Sequence, residues 1–148
     1  MSEDGTEVRQ AEPEDADALL ALCRSLGYAT EADALPARLE RILATPEHGL
    51  FVAERAGTAV GFVHVFPRLA LETDACAQIQ TLVVAEDARR TGAAARLVAA
   101  AEAWAREYGL NWLSLYCTTG RDAAHGFYPS AGFEAASTAT RFNKRLDE

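Results

Sequence analysis

Gln78-Ile79-Gln80-Thr81-Leu82-Val83-Val84, then Ala85-Glu86-Asp87-Ala88, then Arg89-Arg90-Thr91-Gly92-Ala93-Ala94, is the stretch on which the fold turns. Its first part is β-branched and aliphatic and reads as a buried strand. A short polar turn follows, and Gly92 stands at the mouth of an Ala-rich segment running from Ala93 to Tyr108. There Leu97, Ala101, Trp104 and Tyr108 recur at helical spacing, which predicts a helix with one apolar stripe. A helix that opens on a small-residue turn aims several unpaired backbone N–H groups at one point. With the helix dipole they make an anion site suited to a pyrophosphate. Gly92 suits that role because a Cβ would stand between the phosphate and the backbone.

Outward from this stretch the chain punctuates itself. Residues 1–5 read as a disordered lead and Thr6 to Gln10 as a short strand. Pro13 opens a helix with Ala16, Leu19, Leu20, Cys23 and Leu26 on one face, and Gly27 stops it. Asp33 is the expected cap of a second helix, with Pro36 in its first turn and Leu35, Leu39 and Ile42 turned inward. Leu50–Glu54 and Thr58–Phe66 read as an antiparallel hairpin about Arg55-Ala56-Gly57. Pro67 to Cys76 is a polar loop. Beyond the long helix, Gly109 is its stop and Trp112–Cys117 a buried strand. Asp122–Ala131 reads as a short helix, and Phe133 onward as a final hairpin ending in Thr140–Leu146. The order β-α-α-β-β-β-α-β-α-β-β is an α+β arrangement on a mixed sheet.

At 148 residues, one domain is expected over 1–148. The composition is 49% hydrophobic and 24% charged, which places the chain among ordinary globular proteins. No apolar run approaches the roughly 20 residues of a membrane span. The acidic lead Met1-Ser2-Glu3-Asp4-Gly5 lacks a signal-peptide core, so a cytoplasmic location is the default. A net charge of −8 argues against nucleic acid as the main partner and accords with a cationic, amine-bearing substrate. Cys23, Cys76 and Cys117 are odd in number and scattered, as are His48, His64 and His125; neither a disulfide framework nor a metal is expected.

Arg89-x-x-Gly92-x-Ala94 after the Leu82-Val83-Val84 strand resembles the acetyl-CoA motif of the GCN5-related N-acetyltransferase (GNAT) family. His125-Gly126-Phe127-Tyr128-Pro129-Ser130-Ala131-Gly132-Phe133 is similar to that family's closing signature, Phe-Tyr, three residues, Gly-Phe. The resemblance spans nearly the whole chain and is carried mostly by residues 77–133. It implies a GNAT-like acyl-CoA N-acyltransferase fold. Such a fold has a mixed, mostly antiparallel sheet of about six to seven strands, about four flanking helices and splayed central strands. It implies acetyl-CoA as donor, an amine as acceptor, direct attack in a ternary complex, no metal, and by analogy a homodimer.

By the same resemblance the main chain of Leu82, Val83 and Val84 holds the acetyl carbonyl and the pantetheine arm. The peptide groups from Arg90 through Thr91, Gly92, Ala93 and Ala94 to Ala95 bind the pyrophosphate, with Arg89 and Arg90 adding charge. Tyr128 is then the group that protonates the departing thiolate, a step a nearby phenol can serve on chemical grounds alone. As an aromatic core residue it would need no such role.

Three features depart from the family pattern. Gln78 and Gln80 stand where a strand glutamate often acts as base, and an amide takes no proton at neutral pH. Thr118 replaces an asparagine that contacts CoA, and Ala93-Ala94-Ala95 replaces a bulkier residue and a second glycine. Glu72, Asp74, His64 and Tyr116 are alternative bases by their place in the sequence; His125 lies one turn from Tyr128, and Cys117 reads as a small core residue. The missing carboxylate favours a rival reading, a non-catalytic acyl-CoA-binding sensor or partner module, which the Phe127-Tyr128 pair opposes. A P-loop is disfavoured because no Gly-Lys-Ser/Thr follows. The resemblance implies that residues 13–45, 67–76 and 134–140 set specificity for the acceptor.

Overall fold

Alternation and helical spacing become five strands and three α-helices in the computed structural model, which describes residues 5–89, 91–116 and 127–147. The chain divides into two units, residues 1–116 and 117–148. In the first the order is β1 (Thr6–Gln10), α1 (Ala16–Ser25), α2 (Leu35–Leu43), β2 (Gly49–Arg55), β3 (Thr58–Arg68), β4 (Cys76–Val84), α3 (Ala93–Glu107) and β5 (Leu113–Leu115). Single 3-10 turns at Pro13–Asp15 and Glu86–Ala88 lead into α1 and toward α3. The sheet runs β1-β2-β3-β4-β5, antiparallel except for the parallel β4–β5 pair.

Each face of the sheet is covered by the helix stripe whose spacing matches it. Leu97, Ala101, Trp104 and Ala105 of α3 pack on Ala53, Val63, Val65, Ala77, Ile79 and Val84. On the other face Leu19 and Leu22 of α1 and Leu35 and Leu39 of α2 pack on Leu50, Val52, Phe62 and Val83. A fully buried side chain such as Leu97 contributes about 1.5–3 kcal/mol through burial alone, so these stripes position everything else. Arg9 ties β1 to the start of α1 through two 2.9 Å bonds to Asp15, whose Oδ2 also accepts the Glu12 N–H at 2.7 Å. That guanidinium holds the Asp15 carboxyl below its ordinary range.

The β2–β3 hairpin forms as expected. Arg55 pairs with Thr58, leaving Ala56 and Gly57 as a two-residue turn with φ of 53° and 82°. Two positive φ values define the turn whose twist suits a hairpin, and an alanine in the first of them is strained by about 1–2 kcal/mol. Ala56→Asn is expected to raise stability by about 0.5–1 kcal/mol, read as a higher urea midpoint at unchanged slope.

Several local expectations are corrected. The residue before α2 is Ala34, and no side chain caps that helix, so Asp33 falls one residue too early to serve. In α1 the expected face of Ala16, Leu19, Leu20, Cys23 and Leu26 does pack inward, and Leu22 joins it as a buried residue. β3 continues through Arg68, shortening the following loop to 69–75. β5 covers only Leu113–Leu115 and is half-buried; Trp112 and Tyr116 at its ends are largely exposed. Tyr108 caps α3 instead of extending its buried stripe, and its hydroxyl donates to Pro46 O at 2.9 Å.

In the second unit, Phe127–Ser130 form one helical turn. Ala131 is in a turn, and residues 122–126 of the expected helix, along with Cys117 and Thr118, lie outside the described residues, as do residues 1–4 and Arg90; His125 falls in that stretch. Among the described residues from 133 to 147 there is no strand, so the expected final hairpin is not formed there and the sheet has five strands rather than six or seven. Ala135-Ala136-Ser137-Thr138-Ala139-Thr140 offers little apolar area for a partner strand to cover, and Phe142 and Leu146 are exposed.

Candidate functional site

The route from β4 to α3 builds a site out of backbone. Opposite β3, Val63 pairs with Leu82 and His64 with Thr81, but Val65 pairs with Ile79. Gln80 is therefore an extra residue, a bulge that bends β4 in its middle. On the other side β5 follows β4 only from Ala77 to Ile79, with Ala77 N–H bonded to Trp112 O at 2.8 Å. From Gln80 to Val84 the β5-side edge of β4 has no strand partner among the described residues.

Ladder geometry then says which groups are open. Ala85 N–H donates to Val60 O at 2.7 Å, so the peptide groups of that pair face each other. Alternation along an antiparallel pair turns those of Val83 toward Phe62, and those of Leu82 and Val84 toward the unpaired edge. Of the three strand residues expected to hold a ligand by the main chain, Leu82 and Val84 present polar groups to an edge without a strand partner among the described residues, and Val83 does not. Side chains cannot substitute here: Val83 and Val84 are buried in opposite cores.

The turn that follows also matches the expectation. After Glu86–Ala88, Arg89 is extended and exposed, and Thr91 Oγ1 donates to Ala88 O at 2.5 Å. Gly92 sits before the first residue of α3 at φ 87°, ψ 1°. The first intrahelical bond from this end is Arg96 N–H to Gly92 O at 3.1 Å, and no side chain caps the helix. The N–H groups of Ala93, Ala94 and Ala95 thus lack helical acceptors and lie at the positive end of a 15-residue helix. Ala93 is buried while Ala94 and Ala95 are progressively more exposed, so the turn is accessible from the Ala94–Ala95 side. Among the residues assigned there, Arg90 lies outside the described positions.

The second motif is described in its own unit. The Tyr128 ring meets those of Phe127 and Phe133 edge to face, at 5.4 and 5.6 Å between centroids. Tyr128 O accepts the N–H groups of Ala131 (3.1 Å) and Phe133 (3.0 Å), which folds Gly132-Phe133 back onto the turn. The signature Phe-Tyr, three residues, Gly-Phe is thus a packing unit in which both ends clamp one phenol.

Of the alternative bases, Glu72 and Asp74 lie on the exposed 69–75 loop and Tyr116 is largely exposed. Only His64 is inside the sheet, and it has a partner that its sequence position did not suggest. His48 Nδ1 and His64 Nε2 are 2.8 Å apart, and His48 stacks on Phe66 at 5.4 Å and 13°. Sixteen residues separate them, but counting outward from the Ala56-Gly57 turn places Leu50 opposite His64 and His48 just beyond. Burial, and secondarily His48, push the His64 imidazole down to about 4. A group kept neutral in the fold takes up protons on unfolding between its two pKa values, so its stability is complete above about 6.5 and drains away toward pH 4. Between about pH 7.5 and 5 the loss should reach about 2 kcal/mol in a denaturant titration, and His64→Gln should flatten that slope.

The model of the Acetyltransferase (GNAT) family matches residues 15–133. Aminoglycoside N(6')-acetyltransferase type 1 of Serratia marcescens is 30% identical over 135 residues, covering 88% of this chain and 92% of that protein. Among solved structures, AAC(6')-Iy in complex with a bisubstrate analogue, CoA-S-monomethyl-acetylneamine, superposes with a TM-score of 0.84 at 21% identity, over 95% of this chain and 99% of that one. The apo aminoglycoside 6'-N-acetyltransferase AAC(6')-IG of Acinetobacter haemolyticus gives a TM-score of 0.82 at 19% identity, over 95% and 99%.

Proposed function

Because this chain belongs to the GNAT family of acetyltransferases, we propose that it moves the acetyl group of acetyl-CoA directly to a primary amine, within a single domain spanning both units. One observation carries the reading: an open β4 edge leads within a few residues to an uncapped helix N-terminus opened by a left-handed glycine. Those two features match the two ends of the donor. The Leu82 and Val84 peptide groups hold the thioester and the pantetheine arm, which is itself a chain of amides. The N–H groups near Gly92, Ala93, Ala94 and Ala95 take the pyrophosphate, and Arg89 and Arg90 add positive charge. Thr118 is assigned to the CoA side by the sequence motif alone.

The reaction is a displacement. The neutral amine attacks the carbonyl carbon, a C–N bond forms, the C–S bond breaks, and Tyr128 gives a proton to the leaving sulfur, which is replaced through solvent by the proton that nitrogen sheds. Support for Tyr128 comes from the signature that places and clamps it. As acceptor we favour a small cationic amine of the aminoglycoside kind. The 30% identical relative bears that name, and a chain of net charge −8 attracts such a cation. Metal is not part of this chemistry, and the protein acts in the cytoplasm; a homodimer is proposed by analogy.

The deciding experiment is a mass-spectrometric search for acetylated products in a mixture of aminoglycosides, polyamines and peptides with acetyl-CoA. A product formed only with the protein, and reduced in Tyr128→Phe, supports the reading and names the acceptor. Donor binding without any product would favour the sensor reading instead.

A further inference from the structure

An amine that arrives as an ammonium ion must lose a proton before it can attack, and β4 offers amides at Gln78 and Gln80 where a carboxylate would serve. The structure offers another group beside the same bulge. His64 is the β3 residue opposite Thr81, next in the chain to Leu82, whose peptide groups face the open edge. It lies one strand from that edge and on the face opposite α3, which covers Val63 and Val65. Helices α1 and α2 pack on Leu50, Val52, Phe62 and Val83 on His64's own face.

Beyond His64 the path continues to water. Its Nε2 is 2.8 Å from Nδ1 of His48. The loop that carries His48 is fixed at both ends: His48 N–H donates to Thr45 O at 3.0 Å, and Tyr108 holds Pro46 O. Phe66 stacks on the His48 ring and sets its plane. His48 lines a cavity of about 340 Å³ beside the end of α3, together with Gln10, Thr45, Trp104, Glu107 and Tyr108. That is room for several waters.

We propose that His64 and His48 form a proton path that drains the acceptor amine's proton from the β4 bulge into this cavity. The proposal rests on the transfer reaction inferred above. Before attack, the ammonium passes a proton to His64 Nδ1. The proton on His64 Nε2 moves to His48 Nδ1, and the proton on His48 Nε2 leaves to water. The neutral amine then attacks and the C–N bond forms; the second proton that nitrogen sheds goes to solvent, which returns to Tyr128 the proton it gives to the leaving sulfur, so charge and protons balance. Neutrality at His64 keeps a lone pair available at physiological pH. Among the described residues, the groups that face it are the His48 ring, Gln78 and Thr81 from β4 and Leu50 from β2, with Glu107 and Tyr108 on the His48 side. His64 is the group that meets the amine, and His48 is a positioning residue acting through it.

The test is acetyl transfer by wild type, His64→Gln and His48→Gln from about pH 6 to 9.5. At about pH 7, kcat should fall about 100-fold for His64→Gln and about tenfold for His48→Gln, with KM for acetyl-CoA nearly unchanged. Both deficits should shrink as pH rises and the amine deprotonates on its own, and added imidazole should restore rate to His64→Ala. Unchanged rates, or losses equal at every pH with no imidazole rescue, would overturn the path. If thermal melts show His64 variants unfolded, the pH profile of His48→Gln, whose residue lies on a loop, decides. A wild type that transfers nothing removes the reaction itself, whereas an active wild type with indifferent variants removes only the path.

Discussion

Tyr128→Phe is expected to lower kcat by about 100-fold while leaving acetyl-CoA affinity within about twofold, a loss of about 2.7 kcal/mol confined to the transition state. The exchange removes one oxygen and keeps the ring. The edge-to-face contacts with Phe127 and Phe133 persist, and so do the bonds that Tyr128 O accepts from Ala131 and Phe133, because they belong to the backbone. The ring packing is thus kept, and the hydroxyl is the part of the residue that the rate reports. A purely structural tyrosine would give the opposite pattern: turnover near wild type with a shifted melting curve. Leaving-group chemistry supplies a second readout. A donor whose thiol departs as a weaker base needs less help, so its turnover should suffer less from the substitution. Equal rates for wild type and variant, in single-turnover measurements with acetyl-CoA, would withdraw the assignment.

The parts of the fold that were legible are those governed by local chemistry. Val, Ile and Leu alternation located β2, β3 and β4; the spacing of Leu97, Ala101 and Trp104 located α3; the positive φ of Gly27, Gly92 and Gly109 fell where glycine marked a helix end. Less legible was anything decided by pairing. The Gln80 bulge arises because β3 and β4 change register, which no residue in Gln78–Val84 announces alone. The division of Leu82 and Val84 from Val83 follows from that register rather than from side-chain type. The His48–His64 contact likewise depends on a hairpin register, and in the sequence its members look unrelated. Asp33 shows a different limit. A residue with the right capping chemistry loses its role when the helix begins one position later, at a boundary that propensity alone does not sharpen.

Gly92→Val is expected to weaken acetyl-CoA binding by about 100-fold, and the size follows from two separate costs. At φ 87° a β-branched residue is strained by at least about 1–2 kcal/mol, so the turn before Ala93 must rearrange and its N–H groups lose their common aim. The added isopropyl group also occupies the space through which a phosphate approaches. Strain alone would lower stability without discriminating between donors, and a truncated donor separates the two effects. Acetyl-pantetheine carries the thioester and the amide arm that Leu82 and Val84 would hold, but no pyrophosphate. Titrations should show a large loss for acetyl-CoA and little for acetyl-pantetheine, so that wild type prefers the full donor and the variant scarcely distinguishes them. Equal losses for both would mean that the substitution damages the fold around β4 rather than an anion site. Unchanged affinity for acetyl-CoA would move the pyrophosphate away from this helix altogether. The helix gives the reason to expect the first result. It has no side-chain cap, its first intrahelical bond begins at Arg96, and the N–H groups of three small residues precede that bond with no acceptor in the helix. An anion placed there satisfies donors that the fold leaves open, and Gly92 is the residue that lets it come close enough to do so.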